Sequence, residues 1–241
     1  MKTTIPIPGD GKPLMIAHRG LSGLEMENSA SAFVSAGQHS YFGIETDVHR
    51  TADGRFIIIH DDNTKRVCGD EMTVEKTRYD TLRALRLVDT DGRQGRGDLI
   101  LPDLREYIDI CKKYEKTAVL ELKNHFTPQD IDQIINIIRQ EDYLEQVVFI
   151  SFDLPNMICI RERLPEQPAQ FLISSITDWL LDTLQKYSLD LDIKHTALTK
   201  EYADALHASG IKVNVWTVNT PEDAQRVIDM GVDFITTNIL E

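Results

Sequence analysis

"GIETDVHRTADGRFIIIHD", residues 43 to 61, holds two apolar, β-branched runs separated only by "TADGR", and how these runs pair decides the fold. The connection is too short for a helical crossover and carries an Asp-Gly turn signal, so the runs read as an antiparallel hairpin. Turning at Asp53 and Gly54, it pairs Asp47 with His60. Seven further runs have strand character: "LMIAH", "TAVLELK", "QVVFISF", "AQFLIS", "LDLDI", "KVNVWTV" and "VDFITT". Helix-like stretches lie between most of them. "NSASAFVSAGQ" opens with Asn28 as a cap, "PDLREYIDICKKY" and "PQDIDQIINIIRQ" start at Pro102 and Pro128, and "PEDAQRVIDMG" runs from Pro221 to Gly231. Strand–helix alternation along the whole chain argues for a parallel sheet, and about eight such units favour a closed (β/α)8 TIM-type barrel over an open sheet. The hairpin accounts for the ninth run and makes one strand antiparallel.

After this third strand the character changes. Residues 61–101 are polar, charged and glycine-bearing, with one helix-like piece at "YDTLRALRL". At about 40 residues the tract far exceeds an ordinary loop, and it reads as a small insertion, a cap or lid over one barrel end. The 241 residues form one domain on this reading, and 41% hydrophobic residues supply its core.

A net charge of −13 argues against nucleic acid and acidic membrane surfaces as partners. Cys68, Cys111 and Cys159 are odd in number and contain no Cys-x-x-Cys pair, so neither a disulfide framework nor a thiolate metal site is indicated. Two prolines and Gly9-Asp10-Gly11 interrupt the N-terminus before signal-peptide length, and no run reaches transmembrane length. A cytoplasmic protein without stable membrane association is the simplest expectation.

Polar residues gather at strand ends. Alternate residues of a strand share a face, so Glu45 projects with Asp47 and Glu121 with Lys123. Active groups of a barrel collect at the C-terminal ends of its strands, where His18, Glu45, Asp47, His60, Glu121 and Lys123 all fall. Glu45, Asp47 and Glu121 form a candidate site for one divalent cation, Mg²⁺ or Ca²⁺, because hard oxygen ligands without cysteine suit those ions. Alternatively they are strand-end carboxylates balanced by Arg and Lys. His49 shares their face, as a further ligand or as a solvent-facing or hydrogen-bonded histidine. His18 in "HRG" and His60 in "HDD" form a candidate acid/base pair, with a structural hydrogen-bonding role as the alternative for each. Arg19 and Lys123 offer fixed positive charge for phosphate oxygens. Trp216 either walls the substrate site or sits in the core.

"AHRG", "MENS", "IETDVHRTADG", "IIIHDD", "LELK" and "VNVWTVN", in that order from Ile16 to Thr237, resemble the glycerophosphodiester phosphodiesterases. The resemblance implies a (β/α)8 barrel with a small insertion after the second histidine. It also implies metal-dependent hydrolysis of a small glycerophosphodiester to sn-glycerol 3-phosphate and an alcohol. By motif position, His18 and His60 look like the acid/base pair, Glu45, Asp47 and Glu121 like metal ligands, and Arg19 and Lys123 like phosphate-holding groups. Two stretches depart from the pattern. Met26 stands where proline is usual before Glu-Asn, which bears on the rigidity of that loop, and "ITTNIL" replaces the usual Thr-Asp and following proline at the closing turn.

Two other functions remain as alternatives. A phospholipase D-type enzyme acting on lysophospholipids needs an apolar groove for an acyl chain, and neither a membrane-binding helix nor an aromatic-rich loop stands out. A catalytically inactive barrel used for binding usually lacks one or more catalytic groups, and here the set is complete.

Overall fold

The computed structural model describes residues 3–7 and 13–241; Gly9, Asp10 and Gly11, cited above for the N-terminus, lie outside the described residues. All nine apolar runs become strands: β1 (Leu14–Ala17), β2 (Gly43–Arg50), β3 (Phe56–Ile58), β4 (Thr117–Leu122), β5 (Val147–Ser151), β6 (Ala169–Ile173), β7 (Asp190–Lys194), β8 (Val213–Trp216) and β9 (Phe234–Thr237). Eight of them are parallel and close into a ring, because β1 pairs with both β2 and β9. Only β3 is antiparallel, and it lies outside the ring on β2. The antiparallel strand is thus an addition to the barrel rather than a member of it.

The hairpin register differs by one residue from the sequence expectation. Asp47 O accepts from Ile59 N at 3.0 Å, and Val48 lies opposite Ile58. The cause is turn length: Thr51 N donates to Arg55 O, which leaves a three-residue loop with Asp53 at its apex and Gly54 at φ +77°. A two-residue turn centred between Asp53 and Gly54 would have placed His60 opposite Asp47. The shift matters because it sets which faces are covered. Ile57 and Ile59 face the inserted tract, whereas Phe56 and Ile58 join the main core.

Helices α1 (Ala30–Gly37), α2 (Lys65–Cys68), α3 (Tyr79–Ala84), α4 (Leu104–Lys113), α5 (Pro128–Gln140), α6 (Leu154–Arg163), α7 (Leu180–Tyr187), α8 (Lys200–Ala208) and α9 (Pro221–Asp229) complete the chain. Their starts follow capping chemistry. Asp103 with Glu106 and Thr127 with Asp130 form capping boxes on α4 and α5, and Pro128 and Pro221 occupy the first helical turn. One cap differs from expectation: Ser29, not Asn28, accepts from Ala32 N at the start of α1. Asn28 is instead left-handed, at φ 52°, and its side chain is committed to the barrel interior.

Ile16, Val119, Ile150 and Leu172 fill the barrel centre, while outward residues such as Ile44, Leu120, Phe149 and Leu191 pack beneath the helices. The inserted tract has a small apolar cluster of its own, in which Val67, Leu82, Leu87, Leu99 and Leu101 cover Ile57 and Ile59. Met26 packs against that cluster, and its carbonyl accepts from Ser29 Oγ at 2.6 Å, so packing and a hydrogen bond hold the loop in which proline is absent. The "TTN" turn is closed by Thr237 Oγ1, which accepts from Ile239 N and Leu240 N. All three cysteines are free, and among the described residues no helix is long and apolar enough to cross a membrane.

Candidate active site

Parallel pairing of β2 with β4 sets Asp47 directly beside Glu121, and strand alternation puts Glu45 on the same inner face. Their carboxylate oxygens lie within 4.8 Å of one another and all three residues are buried. This is the strand-end cluster expected from the sequence. Above it, a cleft of about 190 Å³ is lined by residues from all eight barrel strands. His18, Glu121, Leu172 and Trp216 come from the ends of β1, β4, β6 and β8; Glu45, Ile150, Asp192 and Thr236 come from the intervening β2, β5, β7 and β9. Alternate strands supply alternate layers, as barrel geometry dictates. Arg19, His60, Phe152 and Thr217 complete the wall.

The chain bends sharply to build the rim after β1. Arg19 and Gly20 both have positive φ, and a side chain at Gly20 would sit 2.6 Å from the Ala32 backbone. The left-handed Arg19 turns its own N–H onto Glu45 Oε2 at 2.8 Å and sends its guanidinium toward Asp47, 3.5 Å away, and Glu27, 2.9 Å away. Non-glycine residues in this region store strain, which a functional rim commonly carries. Asn28 donates to Asp47 Oδ2 at 2.8 Å while accepting from Thr46 Oγ1 at 2.7 Å, so both ends of its amide are fixed.

Electrostatics divide the three carboxyls. Burial raises Glu45 well above the ordinary range, and the Asp47 and Glu121 charges add to the rise. Burial and Asp47 push Glu121 up to about 8 despite the nearby Lys123. For Asp47 burial acts in the same direction, but Lys123, Arg19 and the Asn28 amide outweigh it and hold the group well below its usual value. Lys123 Nζ stands 2.9 Å from Glu121 Oε1 and 3.5 Å from Asp47 Oδ1, close enough to pair charges but not aligned as a donor to either oxygen. Three crowded carboxyls with unused oxygen lone pairs suit a hard divalent cation. The ion pairs with Lys123 and Arg19 are present as well, so the charge-balance reading of the carboxylates is seen directly, beside a geometry that could hold a cation.

Both histidines line the cleft, and each is held through Nδ1. His18 Nδ1 donates to Asn238 Oδ1 at 2.7 Å, an acceptor also used by Ser22 Oγ, and burial assisted by Arg19 pushes its pKa down to about 4. His60 Nδ1 bonds Asp61 Oδ1 at 2.8 Å. With Nδ1 engaged in each ring, Nε2 is left for the cleft. His49 is neither solvent-facing nor part of the acidic cluster: it is fully buried where β2 runs out under the inserted tract, with Nε2 against His60 O.

Lys123 and Asp47 stand behind the cleft wall rather than in it, Lys123 through its pairs with Glu121 and Asp47. Trp216 lines the cleft and meets Phe152 edge-on at 5.6 Å. Phe152 and Trp179, from loops on the same barrel end, are exposed aromatics that lie far apart in the sequence. Asn28 reads from the sequence as a helix cap only, and Asn238, Asp61, Arg66 and Asp192 are not among its candidate site residues. Asp192 carried a signal in "LDLDI", where alternation sets Asp on the face that a barrel turns inward.

A family model described as the glycerophosphoryl diester phosphodiesterase family matches residues 18–241. The chain is 27% identical over 231 residues to a glycerophosphodiester phosphodiesterase from Caldanaerobacter subterraneus subsp. tengcongensis, covering 94% of each. It is 21% identical over 263 residues to a human lysophospholipase D, covering 92% of this chain and 82% of that one. Among solved structures, an Oleispira antarctica phosphodiesterase in complex with the product sn-glycerol-3-phosphate matches with a TM-score of 0.86 at 25% identity, covering 94% and 93%.

Proposed function

Because this chain belongs to the glycerophosphoryl diester phosphodiesterase family and is an enzyme of that class, we propose that it hydrolyses glycerophosphodiesters to sn-glycerol 3-phosphate and an alcohol with one divalent cation, Mg²⁺ or Ca²⁺. The observation that carries this reading is the convergence of Glu45, Glu121, Arg19, His18 and His60 on one cleft, with Asp47 completing the carboxylate cluster just behind its wall. A phosphodiester is an anion that resists attack, and each group answers part of that difficulty. Glu45, Asp47 and Glu121 would hold the cation, which would supply Lewis-acid charge to the phosphate. Arg19 holds a phosphate oxygen through its fixed guanidinium, and Lys123 keeps positive charge beside the cluster. His18 and His60, each oriented through Nδ1, use Nε2 to take a proton from the attacking hydroxyl and to give one to the departing alcohol oxygen. Trp216 forms an apolar wall.

Residues 61–101 act as a cap on the single domain and reach the chemistry through Arg66. Its guanidinium makes two bonds to Glu27, at 2.7 and 2.8 Å, and two to Asp61, at 2.7 and 3.0 Å. Glu27 in turn holds Arg19, and Asp61, whose carboxyl Arg66 and His60 draw down to about 2, holds His60. Arg66 is thus a positioning residue for both. Arg66→Gln is expected to lower kcat/KM by about 10- to 100-fold through misplacement of these groups. Its stability should fall by only about 1 kcal/mol, the order expected for a half-exposed guanidinium paired with two carboxylates. Arg66→Lys should recover only part of the loss, because Lys lacks the planar fork. Wild-type kinetics in Arg66→Gln would contradict the assignment.

Phe152 and Trp179 favour one second reading, a lysophospholipid whose acyl chain lies across those aromatics. Glycerophosphocholine and lysophosphatidylcholine compared at equal concentration separate the two. The proposed function expects the former to turn over faster, with glycerol 3-phosphate as its product; faster cleavage of the latter would replace it with the second reading.

A further inference from the structure

Asp192 is the buried carboxyl in the cleft that no part of the scheme above uses. It is 1% exposed, its Oδ1 has no hydrogen-bond partner, and among the described residues no Lys, Arg or His lies within ion-pairing distance. Asp130 is held by Arg50 and Thr127, and the unbonded oxygens of Asp47 and Glu121 at least face Lys123, whereas Asp192 has no such cation beside it. A buried polar group without a partner is costly, and a native protein that keeps one commonly does so for a ligand. Asp192 lies outside the three-carboxyl cluster, yet it faces the same cleft from the opposite arc of the barrel.

Its surroundings define what it can take. Leu172 of β6 and Asn214 of β8 lie directly beside it in register, Asn214 being already bonded to Gln170 and Thr236, and Ile150 and Trp216 line the same cleft, so the carboxyl stands in a largely apolar slot. A carboxylate there repels a phosphate, and the apolar neighbours favour carbon over a charged group. The slot accepts a short carbon chain ending in a neutral hydrogen-bond donor. We infer that Asp192 is a specificity-determining residue that accepts a hydrogen bond from the terminal hydroxyl of the substrate's glycerol moiety, which seats glycerol in the slot and leaves the alcohol side at the mouth. This inference rests on the proposed function. It explains why a barrel interior retains a lone carboxyl at a position where Leu or Val would pack.

Calorimetric binding of sn-glycerol 3-phosphate and of ethyl phosphate, which lacks the hydroxyls, tests it in Mg²⁺-containing buffer on wild type, Asp192→Ala and Asp192→Asn. Wild type should prefer glycerol 3-phosphate. Asp192→Ala should weaken glycerol 3-phosphate by about 10- to 100-fold while ethyl phosphate changes less than about twofold. Asp192→Asn, which keeps a carbonyl acceptor, should retain most of the preference. Equal losses for both ligands, or none for either, would overturn the role of Asp192 while leaving the proposed function standing. A wild type with no preference for glycerol 3-phosphate would overturn both. As a check on the alternative donor, an ammonium, Asp192→Ala should lower kcat/KM for glycerophosphocholine and glycerophosphoethanolamine alike; a loss confined to the ethanolamine diester would place the head group in the slot and contradict the inference.

Discussion

Glu121→Ala is expected to lower kcat/KM for a glycerophosphodiester by about a thousandfold, since the charge that a metal site supplies is worth several kcal/mol and each 1.36 kcal/mol is a factor of ten. The variant should still fold. It deletes a carboxyl that burial and Asp47 already disfavour as an anion, and Lys123 keeps Asp47 as a partner. A second readout is independent of turnover. Cation at a hundred times its dissociation constant should stabilise the wild type by about 2.7 kcal/mol, or about 5–10 °C in Tm for a chain of this size, and should leave Glu121→Ala almost unmoved. Glu45→Ala and Asp47→Ala should behave alike, because the three oxygen donors lie within one ligand shell's span. Full activity in Glu121→Ala, or undiminished wild-type activity in excess chelator, would remove the metal from the account.

The second large effect concerns the histidines. If one accepts and the other donates a proton, each must begin the cycle in the opposite protonation state, and the rate should follow a bell-shaped pH profile. Loss of either is expected to cost about 10² to 10⁴ in rate on a substrate with an alkyl leaving group. The two variants should then diverge on an aryl phosphodiester, whose leaving group departs without a proton. The variant lacking the acid should be substantially rescued and the variant lacking the base should not. His18→Ala and His60→Ala measured on both substrates therefore assign the roles as well as test them. Equal rescue of both, or of neither, would reduce at least one imidazole to an electrostatic or structural part.

Much of this organisation is legible before any coordinates. Strand alternation alone puts Glu45 with Asp47, and β–α periodicity alone puts Glu121 on a neighbouring strand, because parallel strands joined by helices lie side by side and expose their C-terminal ends together. Composition and turn chemistry likewise mark the hairpin and the inserted tract. What escapes depends on distances that sequence does not encode. The hairpin register turned on whether the loop held two residues or three, a difference settled by Thr51 closing onto Arg55. Asn28 looks like a helix cap because Asn caps helices well, but Ser29 beside it does so too and frees Asn28 for Asp47. Arg66 and Glu27 are 39 residues apart and meet only because the tract folds back over the rim. Asp192 was hidden in a run whose apolar partners made it read as an ordinary strand.

The central claim is that this barrel breaks the phosphodiester on the alcohol side and needs a divalent cation to do so. Phosphorus NMR of a glycerophosphocholine reaction tests it most directly, run with Mg²⁺ or Ca²⁺, with excess chelator, and with the cation restored. The account predicts the phosphomonoester resonance of sn-glycerol 3-phosphate together with free choline, suppressed by chelator and recovered on re-addition of the cation. Phosphocholine as the product, or an unchanged rate in chelator, would contradict it.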